Sequence, residues 1–302
     1  MNSLVRDAAL VGRAQAAYLG LAIGDALGAS VEFMTPREIA ARHGTHRDIC
    51  GGGWLKLRSG QVTDDTTMAL ALGEAIVADH GAVLPLSCAR AFDAWMRRKP
   101  VDIGNTVRRN LVAFRHSGNP RAEPSEHDAG NGAAMRVLPV ALAGVDWSDE
   151  ALCAAARAQA HVTHNNPESD AACELIALIV RDGVRGASLR EIVRRRIEPA
   201  IARTPAFAFR RRRRENPGAW IVETMQAVLQ AFVEGDGVEA CIIDVVNRGG
   251  DADTTGAITG MLAGALYGLP SVPPRWRRAL DPEVRRLCTE QASALVYQNA
   301  TS

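Results

Sequence analysis

Two short acidic stretches lie far apart in the chain: Thr63-Asp64-Asp65-Thr66 and Asp251-Ala252-Asp253-Thr254. Each places two carboxylates and neighbouring hydroxyls at the start of an apolar run. Helix starts favour Asp and Thr as caps, so either stretch alone reads as ordinary capping. Four aspartates converging at buried helix ends are a different matter, because uncompensated carboxylates repel one another and resist burial. A divalent cation is the usual remedy, and an all-oxygen donor set selects Mg²⁺ or Mn²⁺ over zinc or copper. Two such stretches fit a two-metal site in which one carboxylate bridges.

Other residues have the types for chemistry around such a centre. Asp25 and Glu32 in "GDALGASVEF" share one face if a single helix runs through both. In "VDIGNTVRR", Asp102 and Asn105 precede a helix, where capping alone also explains them. "DAGNGAAMR" reads as a glycine-rich turn opening a helix, and the amides of Gly130, Asn131, Gly132 and Ala133 would suit an anion such as a diphosphate. "HVTHNNPESD" spaces His161 and His164 without the acid of a zinc-binding helix, so His164 is expected to hydrogen-bond rather than ligate metal. The run Arg210 to Arg214 reads as a solvated loop or an acidic-partner contact. There is no G-x-S-x-G, Walker or dinucleotide fingerprint.

The elements that must position these residues are helices. Apolar residues recur at helical spacing over 66–79, 132–144, 148–163, 169–184, 189–203 and 219–235, and alternating β-branched runs are nearly absent. Glycines recur every fourth residue at Gly20, Gly24 and Gly28, and again at Gly256, Gly260, Gly264 and Gly268. Such stripes let helix backbones approach closely, which predicts that these two segments form the central pair. Irregular segments are expected at 34–62, 115–130 and 203–218. The fold class is all-α: one compact helical bundle over residues 1–302, with helices converging on a shared site.

Composition sets the outer limits. The chain has 302 residues, 47% of them hydrophobic and 23% charged, enough for a substantial core. A formal charge of +1 argues against a nucleic-acid binder. The cysteines, Cys50, Cys88, Cys153, Cys173, Cys241 and Cys288, are scattered without a C-x-x-C, as reduced cytosolic thiols would be. Arg6, Asp7, Arg13 and Asp25 interrupt the first apolar segment, which makes a poor signal peptide. Residues 254–270 are uncharged but too short and glycine-rich for a good membrane span. A cytoplasmic protein that is not integral to a membrane is expected.

Taken in order, "GLAIGDALGASVEF", "TDDTTMALALGEAI", "GNGAAMRVLPVAL", "THNNP" and "RGGDADTTGAITGMLAGALYG" resemble the ADP-ribosylglycohydrolase family across residues 18–268. The resemblance implies an all-α fold around two Mn²⁺ or Mg²⁺ ions. Their ligands would be Thr63, Asp64, Asp65, Asp251, Asp253 and Thr254, with Glu32 beside them. It implies that Asp102, Asn105 and Glu126 face the ribose and that Gly130, Asn131, Gly132 and Met135 hold the diphosphate. His164 would hold the ADP-ribose, and Trp220 would lie against the nucleotide. Asp102, Glu32 and Asp65 would be the catalytic carboxylates.

The implied activity is removal of ADP-ribose from a modified arginine. "VDIGNTVRR" and the chain length look most like the family branch that acts on nitrogenase iron protein, whose members are controlled by PII signalling proteins and membrane sequestration. Those two partners, and reversible membrane association through one of them, are therefore expectations by resemblance. Same-fold alternatives are hydrolysis of an ADP-ribosyl-serine or O-acetyl-ADP-ribose linkage, or non-catalytic ADP-ribose binding. A two-metal phosphohydrolase is a further alternative.

Overall fold

Glycine at every fourth position brings two helix backbones into direct contact. The computed structural model describes residues 8–210 and 212–298; Arg211 of the arginine run lies outside them. Helix α1 (Ala8–Gly28) pairs with α13 (Ala252–Tyr267) along their length. Gly20, Gly24 and Gly28 meet Gly260, Gly256 and Ala252, and Gly264 meets Ala16. A Cβ on Gly24 would stand 2.0 Å from the Gly256 carbonyl oxygen, a position no side chain can occupy. Glycine costs about 1 kcal/mol against alanine in a helix interior. Here the close backbone packing offsets that cost. The predicted central pair is the observed one.

The remaining helices wrap this pair: α2 (Pro36–His43), α3 (Asp64–Ala78), α4 (Pro85–Arg97), α5 (Asn105–Ser117), α6 (Leu138–Ala143), α7 (Asp149–Ala160), α8 (Pro167–Val184), α9 (Leu189–Ile192), α10 (Glu198–Arg203), α11 (Ile221–Glu234), α12 (Val238–Val246), α14 (Pro274–Ala279) and α15 (Pro282–Tyr297). Of these, α3, α8, α11, α12 and α15 pack directly on α1 or α13. Among the described residues there is no strand, only isolated bridges joining Gly52 to Leu57 and Gly130 to Trp220. The expected all-α fold is observed. No helix of the described residues is long and apolar enough to cross a membrane.

Several expectations need correction. Helix α1 ends at Gly28, so Glu32 lies in the turn beyond it and does not share a helix face with Asp25. The expected loop 34–62 contains α2, started by a capping box in which Thr35 and Glu38 bond each other's amides. The expected helix 132–144 is helical only from Leu138, with Pro139 in its first turn, and the glycine-rich part before it is a series of turns. Segment 189–203 is α9 and α10 joined by a π-helical turn at Val193–Ile197.

The "THNN" stretch organises the loop after α5. Asn165 Nδ2 donates to the Ala122 carbonyl (2.7 Å) and Asn166 Nδ2 to that of Ser125 (3.0 Å). Asn166 Oδ1 meanwhile caps α8 by accepting from Glu168 N at 2.8 Å. Asp128 in the same loop pairs with Arg109 of α5, which ties that helix to the site.

Candidate active site

The start of α3 is set by a carboxylate from another helix. Asp25 of α1 is fully buried and accepts from the amides of Thr63 (3.0 Å) and Thr66 (3.1 Å) and from the Thr66 hydroxyl (2.5 Å). These bonds satisfy donors that a helix start leaves free, and they fix Asp64 and Asp65 against α13. Asp65 Oδ2 then accepts from Thr63 Oγ1 (3.4 Å) and from Thr254 Oγ1 (3.3 Å), so one carboxylate spans both acidic stretches. Its other oxygen, Oδ1, is buried with no hydrogen-bond partner. Beside it, carboxylate oxygens of Glu32, Asp251 and Asp253 lie within 4.8 Å of one another, and all three residues are buried.

Six acids thus gather in one place, and among the described residues none forms an ion pair with a basic side chain. Burial raises the proton affinity of Glu32, Asp25, Asp64, Asp65 and Asp253, and for all of these but Asp25 the neighbouring carboxylates add to it. The Glu32 carboxyl is pushed up to about 8 by burial, against the Trp54 hydrogen bond and with help from Asp251, Asp102 and Asp64. Asp64 is pushed up to about 7 by burial, then by Asp102 and Asp25. Asp65 and Asp253 are raised well above the usual carboxylate range for the same reasons. Asp25 rises to about 6 by burial, restrained by its hydrogen bonds to Thr66 and Thr63. A cluster of this kind holds either protons or cations. The orphaned oxygen of Asp65 and the all-oxygen donor set fit hard divalent cations such as Mn²⁺ and Mg²⁺.

The cluster opens into a cavity of about 470 Å³. One wall is Asp102, in the segment before α5, with Asn105 and Val107 of that helix's first turn; the Asp102 Oδ1 atom accepts from the Ile103 amide at 2.7 Å. A second wall is formed by Gly130, Asn131, Gly132, Met135 and His164. Asn131 Nδ2 donates to Asp251 Oδ2 (2.7 Å) and to Thr224 Oγ1 (3.0 Å), which fastens this wall to the acids. The Asn131 amide is not free for an anion as predicted, because it donates to the Ala219 carbonyl at 3.0 Å across the bridge between Gly130 and Trp220. The glycines here make room for His164: a Cβ on Gly132 would lie 3.0 Å from its Cε1, and one on Gly130 3.1 Å from its Nε2.

A buried arginine is joined to His164 through Thr163. Arg136 is fully buried and, among the described residues, has no carboxylate partner; its Nη2 donates to Thr163 Oγ1 at 2.8 Å. Thr163 Oγ1 also lies 2.8 Å from His164 Nδ1, and with the hydroxyl hydrogen donated there the imidazole proton sits on Nε2. Burial, with Arg136 and Arg109 nearby, lowers the His164 pKa to about 3, so the ring is neutral. As expected, His164 is a hydrogen-bonding group; His161 pairs with Asp170 instead (2.9 Å).

Not every expected site residue reaches the cavity. Thr63 and Asp65 lie beneath its floor rather than on it. Glu126 is exposed and outside the lining, on the loop that the bonds from Asn165 and Asn166 hold at Ala122 and Ser125. Trp220 is also outside the lining; it is 49% exposed, and its indole donates to Glu168 at 2.8 Å. Conversely, Phe33 and Trp54 line the cavity and were not anticipated. A lone tryptophan behind three glycines in "GGGWLKL" was the available signal. For Arg136 it was an arginine inside the apolar run "AAMRVLP".

With this geometry in place, comparison with known proteins is decisive. A sequence model of the ADP-ribosylglycohydrolase family matches residues 6–301. The chain belongs to that family. It is 45% identical over 284 residues to the ADP-ribosyl-[dinitrogen reductase] glycohydrolase of Rhodospirillum rubrum, covering 94% of this chain and 95% of the relative. It is 31% identical over 300 residues to the ADP-ribosylarginine hydrolase Tri1 of Pseudomonas putida (strain GB-1), covering 92% of this chain and 77% of the relative. Among solved structures, an "ADP-ribosylglycohydrolase-related protein complex" matches with a TM-score of 0.85 and 35% identity, over 96% of this chain and 98% of that one. The family fold is therefore present across nearly the whole chain.

Proposed function

We propose that this ADP-ribosylglycohydrolase family member is a metal-dependent N-glycosyl hydrolase that releases ADP-ribose from an ADP-ribosylated arginine of a target protein, with nitrogenase iron protein (dinitrogenase reductase) as the target. The observation that carries the reading is the uncompensated acid cluster, with its orphaned Asp65 oxygen, at the floor of a cavity walled by Asp102 and by the Gly130–Gly132 turn. The names of the relatives in Rhodospirillum rubrum and Pseudomonas putida supply the linkage. Under the same reading the enzyme works in the cytoplasm, and a PII signalling protein regulates it and brings it reversibly to a membrane.

Two Mn²⁺ or Mg²⁺ ions held by Thr63, Asp64, Asp65, Asp251, Asp253 and Thr254 would orient the ribose hydroxyls and stabilise developing negative charge. The remaining steps fall to the chain's own groups. Gly130, Gly132, Met135 and the Nε2 proton of His164 bind the diphosphate end, Asn131 holds their wall against the acids through its bond to Asp251, and Asn105 contacts the ribose. Asp102 is fixed through Oδ1 by the Ile103 amide and uses its second oxygen to move a proton at the sugar, assisting opening of the ribose ring. Glu32, tethered by Trp54, handles the proton of the water that completes hydrolysis. A direct scheme, in which that water displaces arginine without ring opening, relies on Glu32 alone.

The test is incubation with arginine-ADP-ribosylated iron protein, with and without manganese, while free ADP-ribose is measured. Manganese-dependent release is expected, and none from a serine-modified peptide. Asp102→Asn should keep its manganese and still bind the modified protein while losing about 10²-fold or more in turnover. Release from serine instead of arginine overturns the linkage. Normal turnover of Asp102→Asn removes Asp102 from the mechanism.

A further inference from the structure

Phe33 and Trp54 are 64% and 51% exposed, and both line the mouth of the cavity. Their ring centroids are 5.4 Å apart with planes inclined at 48°, leaving a splayed aromatic cleft. Exposed aromatic rings gain little stability, yet the fold holds these two firmly in place. Phe33 sits at φ 63°, a left-handed conformation unfavourable for a bulky residue, and its amide donates to the Gly250 carbonyl at 2.7 Å. Before Trp54, Gly53 at φ 68° lies where a Cβ would come within 2.3 Å of the Ala29 carbonyl oxygen. The indole itself is anchored by donating to Glu32 Oε2 at 2.6 Å. Strained backbone and a tethered ring at a cavity mouth point to a ligand contact.

The contacts also give the cleft a direction. Trp54 bonds Glu32, Glu32 lies beside Asp251, and Asp251 accepts from Asn131, which sits within the Gly130–Gly132 wall. The aromatic pair and the proposed diphosphate wall therefore join the acid cluster through different carboxylates, Glu32 and Asp251. In ADP-ribose the diphosphate hangs from C5′, while the scissile bond leaves from C1′ across the ring oxygen. A ribose seated on the cluster with its C5′ end at Gly130–Gly132 turns C1′ toward Glu32 and Trp54.

We propose that Phe33 and Trp54 form the subsite for the leaving group, gripping the planar guanidinium and alkyl stem of the modified arginine. This rests on the arginine-linkage reading above. A delocalised planar cation is attracted to an indole face, the more so beside a carboxylate such as Glu32. A serine oxygen offers neither a plane nor a charge, so the subsite also selects the linkage.

The experiment compares wild type, Trp54→Phe, Trp54→Ala and Phe33→Gly, measuring kcat/KM on an arginine-ADP-ribosylated peptide and Kd for free ADP-ribose, which lacks the arginine. Trp54→Ala and Phe33→Gly are expected to lose about tenfold in kcat/KM, with ADP-ribose affinity unchanged. Trp54→Phe, which loses the N–H to Glu32 but keeps a ring, is expected to fall between Trp54→Ala and wild type. A parallel loss of ADP-ribose affinity would assign the rings to the adenosine end and overturn the proposal. Equal kcat/KM across the series would overturn it too while leaving the arginine linkage standing. A wild type that releases nothing from arginine would sink the linkage first, and the subsite with it.

Discussion

His164 shows how much of this site depends on one proton. With Thr163, which accepts from Arg136, donating to Nδ1, Nε2 carries it, and Gly130 and Gly132 bring the cavity wall up to that atom. Thr163→Val keeps the side-chain shape but removes the hydroxyl, which frees the tautomer and leaves Arg136 with an unmet donor. Imidazole nitrogen shifts should therefore report an Nε2-protonated neutral ring in the wild type and a mixture in the variant. ADP-ribose affinity should fall about tenfold and stability by about 1–3 kcal/mol. A wild-type ring protonated on Nδ1 would refute the relay. Residue types raised the question that Asp64, Asp65, Asp251 and Asp253 pose, because carboxylates at apolar helix starts cap the helix if they stay apart and repel one another if they converge; the fold shows that they converge. Arg136, Phe33 and Trp54 were not legible, since their meaning lies in tertiary neighbours that spacing does not reveal.

At the scale of elements, the same substitution should have opposite effects at two places on α1. A Cβ on Gly24 would lie 2.0 Å from the Gly256 carbonyl oxygen, whereas one on Gly12 meets nothing within 4 Å. Gly12→Ala should stabilise by up to about 1 kcal/mol through helix propensity. Gly24→Ala must push α1 away from α13 and should destabilise by about 1–3 kcal/mol or more. Urea unfolding of both variants checks this, and a neutral Gly24→Ala would contradict the close packing. The glycine stripes were readable because a four-residue period names both the face and the partner. Helix α2 was missed although "TPRE" carries its capping box, because the glycines that follow give the whole segment the composition of a loop. Helix α6 is shorter than its pattern suggests because "GAAMRVLPVALAG" has helical periodicity throughout. Tertiary contacts with Ala219 and His164 hold the first half of that segment in turns instead.

For the whole molecule, the acid cluster couples folding, protons and metal. In metal-free protein, Glu32 at about 8 and Asp64 at about 7 stand above their ordinary values of 4.5 and 3.8. The folded state therefore binds more protons than the unfolded chain. The stability contributed by these groups is complete below their ordinary values and is lost as pH rises through about 7 to 8. His164 works in the other direction: lowered to about 3 from 6.5, it contributes stability above 6.5 that is lost as pH falls toward 3. The window from about pH 6.5 to about pH 7.5 is governed by the carboxylates, since it lies below the range where the unfolded thiols of Cys88, Cys153, Cys173, Cys241 and Cys288, which burial holds up in the fold, begin to ionise. Chelator-treated protein should melt at a lower temperature at the upper end of that window than at the lower. Manganese takes the place of the protons and binds better as they leave, so the rise in Tm on adding it should be larger at the upper end. Asp253→Ala should lose most of that manganese-dependent rise and its bound metal together, with little change in the Gly12→Ala effect on the distant end of α1. If manganese raised Tm equally at both ends of the window, or if the chelated protein grew more stable as pH rose, the acids would not be a protonated cage awaiting cations.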